Sequence, residues 1–248
     1  MFFCYNEVGE NMLKIDNYSM SYVKGSPVVQ DLSLEVKDGD VFAFVGHNGA
    51  GKTTTIKSIA GINYFEEGNI TLDGVSIKDN PIEFKQNIAY IPDSPDLYDY
   101  LTGIQYLNFI ANMYQVSEKD RELAILKYSK LFDIKDNLGD LIASYSHGMK
   151  QKLAVISALV HDPKLYILDE PFVGLDPYAA HNLKEIMKEK CKEGKIIFFS
   201  THVLDTAEKI CNKIAIIKKG KLIVTGDMKS IIKNQSLEDI FLELVEHD

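Results

Sequence analysis

A glycine-rich stretch, GHNGAGKT at residues 46–53, directly follows an apolar run, VFAFV at 41–45, and has the spacing needed to hold phosphate groups. Its glycines let the backbone curl so that successive N–H groups point at one anion, and a helix beginning near Lys52 would add its positive dipole end. Lys52 would reach the β and γ phosphates, and the Thr53 hydroxyl would ligate Mg²⁺. This P-loop predicts a nucleotide site. Its candidate ligands are Gly46, His47, Asn48, Gly49, Ala50, Gly51, Lys52, Thr53 and Thr54.

Two carboxylates end a second apolar run, LYILDEP at residues 165–171. Open α/β sheets bind ligands at the carboxyl ends of their strands, so Asp169 would lie beside the P-loop and hold Mg²⁺ through its water shell. Glu170 would face the attacking water as a general base. ATP is favoured over GTP because the sequence has no NKxD-like guanine reader; its Asn-Lys pair at 212–213 runs into Ile-Ala.

His202 and Asp176 can each have a structural or a functional role. His202 comes just after IIFF at 196–199, where a histidine can be structural or can hydrogen-bond a γ-phosphate and sense its loss. The pair Asp176-Pro177 predicts a helix start, with Asp176 as N-cap. The predicted catalytic set is therefore Lys52, Glu170 and His202.

The elements that must position these residues are mostly buried strands separated by helices. The apolar runs that predict such strands lie at 41–45, 88–91, 165–168, 196–199 and 214–217. Before them, LKIDNYSMSYV and VVQDLSLEV predict strands joined by a turn at 25–27. We therefore predict an α/β fold: a P-loop core with a mostly parallel sheet, an N-terminal antiparallel part and an inserted helical subdomain.

The inserted subdomain is indicated by helical patterns without a buried strand. The patterns at Thr102-x-x-Gln105 and Ser117-x-x-Asp120 resemble capping boxes ahead of helices. The predicted divisions are a single unit over residues 12–226, with the helical subdomain at about 93–163, a helical tail at 227–248 and a possible N-terminal extension at 1–11.

Composition limits the partners and the compartment. The chain has 36 acidic residues against 27 lysines and arginines, a net charge of −9, which argues against binding nucleic acid or anionic lipid. Three widely spaced cysteines fit a reduced compartment. The first ten residues lack the basic region of a signal peptide, and no apolar stretch approaches the ~20 residues of a membrane span. We therefore expect a chain that works in water.

The order of these motifs resembles the nucleotide-binding subunits of ABC transporters over about residues 12–226. Between the P-loop and the acidic run lies YSHGMKQKLAVISALVHDP at 145–163, which is similar to that family's LSGGQ signature followed by a basic helix. The resemblance implies that Tyr22 stacks on adenine, that Asp176 is the D-loop acid and that His202 is the switch histidine.

The resemblance also implies a reaction and its partners. It implies an ATPase that uses ATP and Mg²⁺ and pairs with a second ATP-binding subunit, so that Ser146 and Gly148 contact the γ-phosphate held by the opposite subunit. It further implies a transmembrane permease, and hence a cytoplasmic chain attached peripherally to the inner face of the membrane. No nucleic-acid partner is expected.

Two departures from the family pattern affect the predicted site. The signature has His147 before Gly148 where the family has two glycines, and Met149 where it has glutamine. In the loop IPDSPDLYDYLTG at 91–103, Asp93 stands where the family usually has glutamine. An aspartate still binds Mg²⁺ or its water, but when ionised it cannot donate a hydrogen bond. We expect ATPase activity with an altered metal or pH dependence.

The same loop is where the family senses its membrane partner. Leu97, Tyr98, Tyr100 and Leu101 are candidates for a groove that receives a permease helix, and they can equally be packed into the helical subdomain. The loop and the signature resemble those of bacterial exporters of drugs, antibiotics or peptides more than those of importers. The resemblance therefore favours export.

Two alternatives to a transporter subunit remain at the sequence level. A cytosolic ABC-type ATPase acting on ribosomes or nucleic acid is disfavoured because such relatives usually have two cassettes, CxxC pairs or a long coiled coil, whereas this chain has a single P-loop and no CxxC. A nucleotide-binding regulator without hydrolysis is disfavoured because both Glu170 and His202 are present.

Overall fold

The predicted apolar and β-prone runs form strands, which belong to two sheets. The computed structural model describes residues 12–233 and 235–246, so the possible extension at 1–11, and residues 234, 247 and 248 of the predicted tail, lie outside the described residues. The strands are β1 (Met12–Val23), β2 (Ser26–Lys37), β3 (Val41–Val45), β4 (Glu67–Leu72), β5 (Val75–Ser76), β6 (Ile88–Ile91), β7 (Leu165–Asp169), β8 (Ile196–Thr201), β9 (Lys213–Lys218) and β10 (Lys221–Asp227).

The central sheet has the order β10-β9-β3-β8-β7-β6. All its pairs are parallel except β10 with β9, which is antiparallel. Strands β3, β7 and β8 are buried along their whole length, as strands covered on both faces must be. Their carboxyl ends therefore meet at one edge, where Asp169 pairs with Ser200.

The second sheet is antiparallel, with the order β2-β1-β4-β5. The predicted turn at 25–27 is shorter than expected, because Ser26 and Pro27 already belong to β2 and Lys24 and Gly25 form the turn. Alternate residues of β1, such as Leu13 and Ile15, are buried against one face of the central sheet. This sheet thus covers the side of the central sheet on which the P-loop helix packs.

Helices cover both faces of the central sheet. They are α1 (Lys52–Ile59), α2 (Pro81–Gln86), α3 (Gly103–Met113), α4 (Glu118–Leu131), α5 (His147–His161), α6 (Pro177–Lys192), α7 (Leu204–Ile210), α8 (Met228–Ile232) and α9 (Leu237–Glu246). Several begin at the predicted caps: Thr102 forms a capping box with Gln105, and the Asp176 carboxylate accepts from the backbone of Ala179.

Helices α3, α4 and α5 lie between β6 and β7 in the chain, as the sequence predicts. Helix α5 buries Leu153, Ile156 and Val160 in the same apolar cluster as Leu107 and Ala111 of α3. None of the helices in the described ranges is both long enough and apolar enough to cross a lipid bilayer.

Candidate functional site

The P-loop joins β3 to α1 and bends back on itself. Gly51, the residue before α1, has φ of 107°, and a Cβ there would lie 3.1 Å from the Val28 carbonyl oxygen, so the turn requires glycine. The Lys52 Nζ donates to the carbonyl oxygens of Gly46 at 2.6 Å and His47 at 3.2 Å. The lysine is thus held over the loop whose amides would face an anion.

The charge of Lys52 is tuned by its surroundings. The side chain is buried, with 7% exposed. Burial lowers the pKa of its ammonium group, and the carboxylates of Glu170 and Asp169 oppose that shift. The Lys52 ammonium group lies between two carboxylates and the P-loop. It is therefore suited to balance the negative charge of bound phosphates.

The acidic pair at the end of β7 is fixed by Ser200 of the neighbouring strand. The Ser200 hydroxyl donates to Asp169 Oδ1 and accepts from the backbone N–H of Glu170 at 3.1 Å. Asp169 is 1% exposed, and its Oδ2 is a buried acceptor without a hydrogen-bond partner among the described residues. Such an orphaned carboxylate oxygen is what an ordered water or a hydrated cation would satisfy.

Glu170 leaves the strand in an unusual backbone conformation. Its φ is 47°, in the left-handed region that non-glycine residues rarely adopt. Its Oε1 lies 2.8 Å from Nδ1 of His202, and the histidine side chain is 58% exposed whereas that of the glutamate is 17% exposed. Strain of this kind is common where a side chain must be aimed at a reaction centre.

One cleft brings most of the predicted nucleotide ligands together. It is lined by Val28, His47, Asn48, Gly49, Gly51, Lys52, Thr53, Thr54, Asp93, Asp169 and Glu170. Asp93 is exposed, and its Oδ1 accepts from the backbone N–H of Ser94 at 2.8 Å. The carboxylate that replaces the family's glutamine therefore lies in the same cleft as Asp169.

Tyr22 lies at the side of this cleft with its ring largely free. It is 60% exposed, and its hydroxyl donates to Thr54 Oγ1 at 3.4 Å and accepts from Asn63 Nδ2 at 3.1 Å. These bonds fix the ring next to α1, and its exposed face is available for stacking on a planar base.

The signature residues lie apart from the P-loop cleft, at the start of α5. The Ser146 hydroxyl caps the helix by accepting from the backbone of Met149 at 3.3 Å. A Cβ on Gly148 would lie 2.8 Å from the Gly174 carbonyl oxygen, so this contact between α5 and the next loop requires glycine. Asp176 in that loop pairs with Lys152 of α5 at 2.7 Å. Ser146, Gly148 and Asp176 thus form a second polar surface that does not line the cleft.

The loop after β6 presents aromatic side chains. Tyr98 contacts the rings of Tyr100, Tyr106 and Phe109, with centroids 5.6–6.2 Å apart; these four residues are the aromatic cluster. Tyr100 is 74% exposed. Leu97 and Leu101, in contrast, pack against the core. Leu97 and Leu101 therefore match the packing interpretation, and Tyr98 and Tyr100 stay candidates for the groove.

Sequence reasoning missed Ser200 and Asn63. Ser200 is fully buried and directly follows the apolar run IIFF in β8, and this position at the end of a buried strand was the available signal. Asn63 gave no signal, because its contact with Tyr22 joins residues 41 positions apart.

Comparison with known proteins gives a consistent identification. A sequence model of the ABC transporter family matches residues 29–173. EcsA of Bacillus subtilis (strain 168), an ABC-type transporter ATP-binding protein, is 34% identical over 243 residues, covering 96% of this chain and 98% of that protein. YthP of the same strain, an uncharacterized ABC transporter ATP-binding protein, is 34% identical over 246 residues, covering 96% of this chain and 98% of that protein.

A solved structure agrees with the sequence relatives. The ATP-binding subunit of an ABC transporter superposes with a TM-score of 0.90 at 36% identity, covering 94% of this chain and 99% of that chain. The predicted α/β fold is confirmed by this likeness. These relatives favour a transporter subunit over an ATPase acting on ribosomes or nucleic acid. The chain belongs to the ABC transporter family, as an ATP-binding subunit with ATPase activity.

Proposed function

We propose that Glu170 and His202 catalyse hydrolysis of an ATP molecule whose phosphates are held by Lys52 and the P-loop amides. The contact between Glu170 Oε1 and His202 Nδ1, 2.8 Å long at the cleft that contains Lys52, is the observation that supports this assignment. Glu170 would accept a proton from the attacking water. His202 would orient that carboxylate and hydrogen-bond the γ-phosphate, so that loss of the phosphate is sensed.

The adenine would stack on the exposed ring of Tyr22. Stacking needs a fixed aromatic face, and the bonds from Asn63 and to Thr54 supply the fixation. The remaining P-loop residues would contribute backbone N–H groups to the phosphates.

A Mg²⁺ ion would be held in this cleft, with Thr53, Asp169 and Asp93 as its protein partners. Mg²⁺ is usually held by one or two carboxylates together with phosphate oxygens and several waters. Among the described residues, no group of three His, Cys, Asp or Glu side chains is placed to hold a metal ion. When bound, the ion would neutralise charge on the β and γ phosphates.

A second ATP-binding subunit would complete the site. Ser146 and Gly148 lie at the positive end of the 15-residue helix α5, where hydroxyl and backbone N–H groups suit an anion. Because these residues do not line their own chain's cleft, they would contact the γ-phosphate held by the partner. The ion pair of Asp176 with Lys152 would keep the D-loop beside this surface.

The energy of hydrolysis would reach a permease through the aromatic cluster. Tyr98 and Tyr100 are exposed apolar side chains on one loop, as an interaction surface requires. The Asp99 carboxylate between them pairs with Lys150 of α5 at 2.6 Å, which links this surface to the signature helix. The chain would then lie on the cytoplasmic face of the membrane through its permease, and the resemblance of its loops favours export.

The assignment of Glu170 is tested by replacing it with glutamine. Glu170→Gln keeps the size of the side chain but removes its basicity, so ATP hydrolysis should fall about 10²–10⁴-fold. ATP affinity should stay within about twofold, and an ATP-dependent dimer should accumulate in light scattering. The matched control is Glu185→Gln, on the exposed side of α6, which should leave both readouts unchanged. Hydrolysis by Glu170→Gln at the unmodified rate would contradict the proposal.

A further inference from the structure

Two buried polar atoms without a hydrogen-bond partner lie on the same face of the central sheet. They are the hydroxyl of Tyr90 and the Oδ2 of Asp169, and neither finds a partner among the described residues. One is a donor and the other an acceptor. Buried polar groups are nearly always hydrogen-bonded, to protein or to ordered water, so each unpaired atom needs an explanation.

Their common face follows from the register of β6 and β7. Tyr90 pairs with Ile167, and side chains two residues apart on one strand point to the same side. Asp169 therefore lies diagonally opposite Tyr90, and its side chain points to the same face of the sheet as those of Tyr90 and Ile167. The ring of Tyr90 packs against the apolar cluster that contains Ile167 and Ile56 of α1. Its hydroxyl is thus buried on the face of the sheet against which α1 also packs.

The electrostatics of this pocket keep the phenol protonated. Burial raises the pKa of Tyr90, and the negative charges of Asp169 and Asp93 raise it further. The hydroxyl is therefore available as a donor, and both carboxylates whose charges act on it are assigned to the metal. No other part of the proposed mechanism uses this hydroxyl.

We propose that Tyr90 is a positioning residue for the divalent cation. The Tyr90 hydroxyl donates to a water that Asp169 Oδ2 also contacts. This inference rests on the proposed Mg²⁺ site and adds a residue to it. The shared water would satisfy both orphaned atoms and fix the orientation of the Asp169 carboxylate, whose other oxygen already accepts from Ser200. Tyr90 itself would not touch the metal or the reacting atoms.

The test removes the hydroxyl and keeps the ring. In Tyr90→Phe, the affinity for Mn²⁺, measured by its electron paramagnetic resonance signal with an unhydrolysable ATP analogue bound, should fall about three- to tenfold, the loss of one hydrogen bond. The affinity for the analogue without metal should not change. The matched control is Tyr64→Phe, whose ring is 81% exposed and does not line the cleft.

A double variant separates a shared water from a general effect. If Tyr90 acts through Asp169, Tyr90→Phe should have no further effect on Mn²⁺ affinity in an Asp169→Asn background. An unchanged Mn²⁺ affinity in Tyr90→Phe would overturn the inference. An equal loss of affinity without metal would also overturn it, because the hydroxyl would then support the P-loop. If the unmodified protein binds the analogue but binds no Mn²⁺ when Mn²⁺ is supplied, the proposed metal site itself is wrong.

Discussion

Single residues at the carboxyl ends of β7 and β8 determine the geometry of the cleft. Side chains in a strand alternate between faces, so Asp169 and the next residue would normally point to opposite sides. The left-handed backbone at Glu170 breaks this alternation, and the bond from its N–H to Ser200 holds the break in place. Both carboxylates thereby line one cleft with Lys52.

The first prediction at this scale concerns Asp93. Replacing it with glutamine removes a negative charge from the cleft and restores an amide donor. Asp93→Gln should bind metal-free ATP about two- to fivefold more tightly and need more Mg²⁺ for half-maximal hydrolysis, because repulsion of the phosphates and attraction for the cation both weaken. Both are measured by titration of ATP and of Mg²⁺.

The control for Asp93 is Asp96→Asn, an exposed carboxylate three residues along the same loop that does not line the cleft. Its Mg²⁺ and pH profiles should match those of the unmodified protein. If Asp93→Gln also reproduces those profiles, the carboxylate has no part in the metal site.

The sequence predicts the P-loop and the acidic pair because each is a local pattern. The P-loop follows its strand directly and leads into the helix that begins at Lys52, and Glu170 follows Asp169. Ser200 and Tyr90 could not be assigned a role in this way, because their contacts depend on which strands pair and in which register. Asn63 could not be found because its partner, Tyr22, lies 41 positions away in the sequence. The catalytic and binding roles of all these residues stay predictions.

At the scale of elements, the loop after β6 connects the cleft with the exposed surface. It contains Asp93 near its start and the aromatic residues near its end, and the Asp99–Lys150 ion pair ties it to α5. A shift of this loop would therefore be felt both at the cleft and at the signature helix. This arrangement makes the aromatic cluster the element to test for the permease.

The second prediction is that Tyr100→Ser weakens retention by the permease. Exposed aromatic side chains at an interface often contribute more than 1 kcal/mol, so the yield of permease in co-purification should fall about tenfold. The thermal unfolding temperature should change by no more than about 1–2 °C, because exposed substitutions usually have small effects on stability.

A matched exposed tyrosine tests the specificity of this effect. Tyr64→Ser alters a ring that is 81% exposed and lies outside the aromatic cluster, so permease recovery should be unchanged. Equal recovery with Tyr100→Ser and the unmodified chain would exclude the cluster as the docking surface.

Buried apolar strands and a capped helix were predictable, whereas a half-exposed strand and the shortest elements were not. The five apolar runs became β3, β6, β7, β8 and β9, and the capping pattern at Thr102 begins α3. Strand β10 went unpredicted because it is half exposed along its length and includes Gly226. Strand β5 has two residues and α2 has six, too short for a period to be recognised.

At the scale of the whole molecule, two apolar clusters hold the layers together. One fills the space between the antiparallel sheet, α1 and the central sheet, and the other lies between the central sheet and α3–α6. His161, the last residue of α5, connects residues at the ends of α2 and α3. Its ring stacks on Tyr114 at the end of α3, with centroids 3.5 Å apart, and its Nε2 lies 2.9 Å from the carbonyl oxygen of Gln86.

The third prediction is that stability falls as the pH drops below the usual histidine range. Burial lowers the pKa of His161, and the positive charge of Lys195 lowers it further. The hydrogen bond to Gln86 and the negative charge of Asp162 oppose this shift. The unfolded histidine, with a pKa near 6.5, then binds protons that the folded one does not. The contribution of neutral His161 to the free energy of unfolding is complete above about pH 6.5. It declines as the pH falls toward the pKa of His161 in the folded protein.

The measurement is the thermal unfolding temperature between pH 7.5 and 5. Replacing His161 with glutamine, which keeps a polar group near Gln86, should flatten this decline by about 1–3 °C. His181→Gln, on α6, provides a histidine control without such burial. Identical profiles for His161→Gln and the unmodified protein would show that His161 does not contribute to the pH dependence.

A crystal structure of the Glu170→Gln protein with Mg-ATP would show directly whether the P-loop and residue 170 hold the triphosphate as proposed. We expect the backbone amides of residues 49–53 to surround the phosphates and the terminal phosphate to lie beside residue 170, with Thr53 and Asp169 next to the ion. A nucleotide bound outside the P-loop, or a γ-phosphate directed away from residue 170, would contradict this expectation.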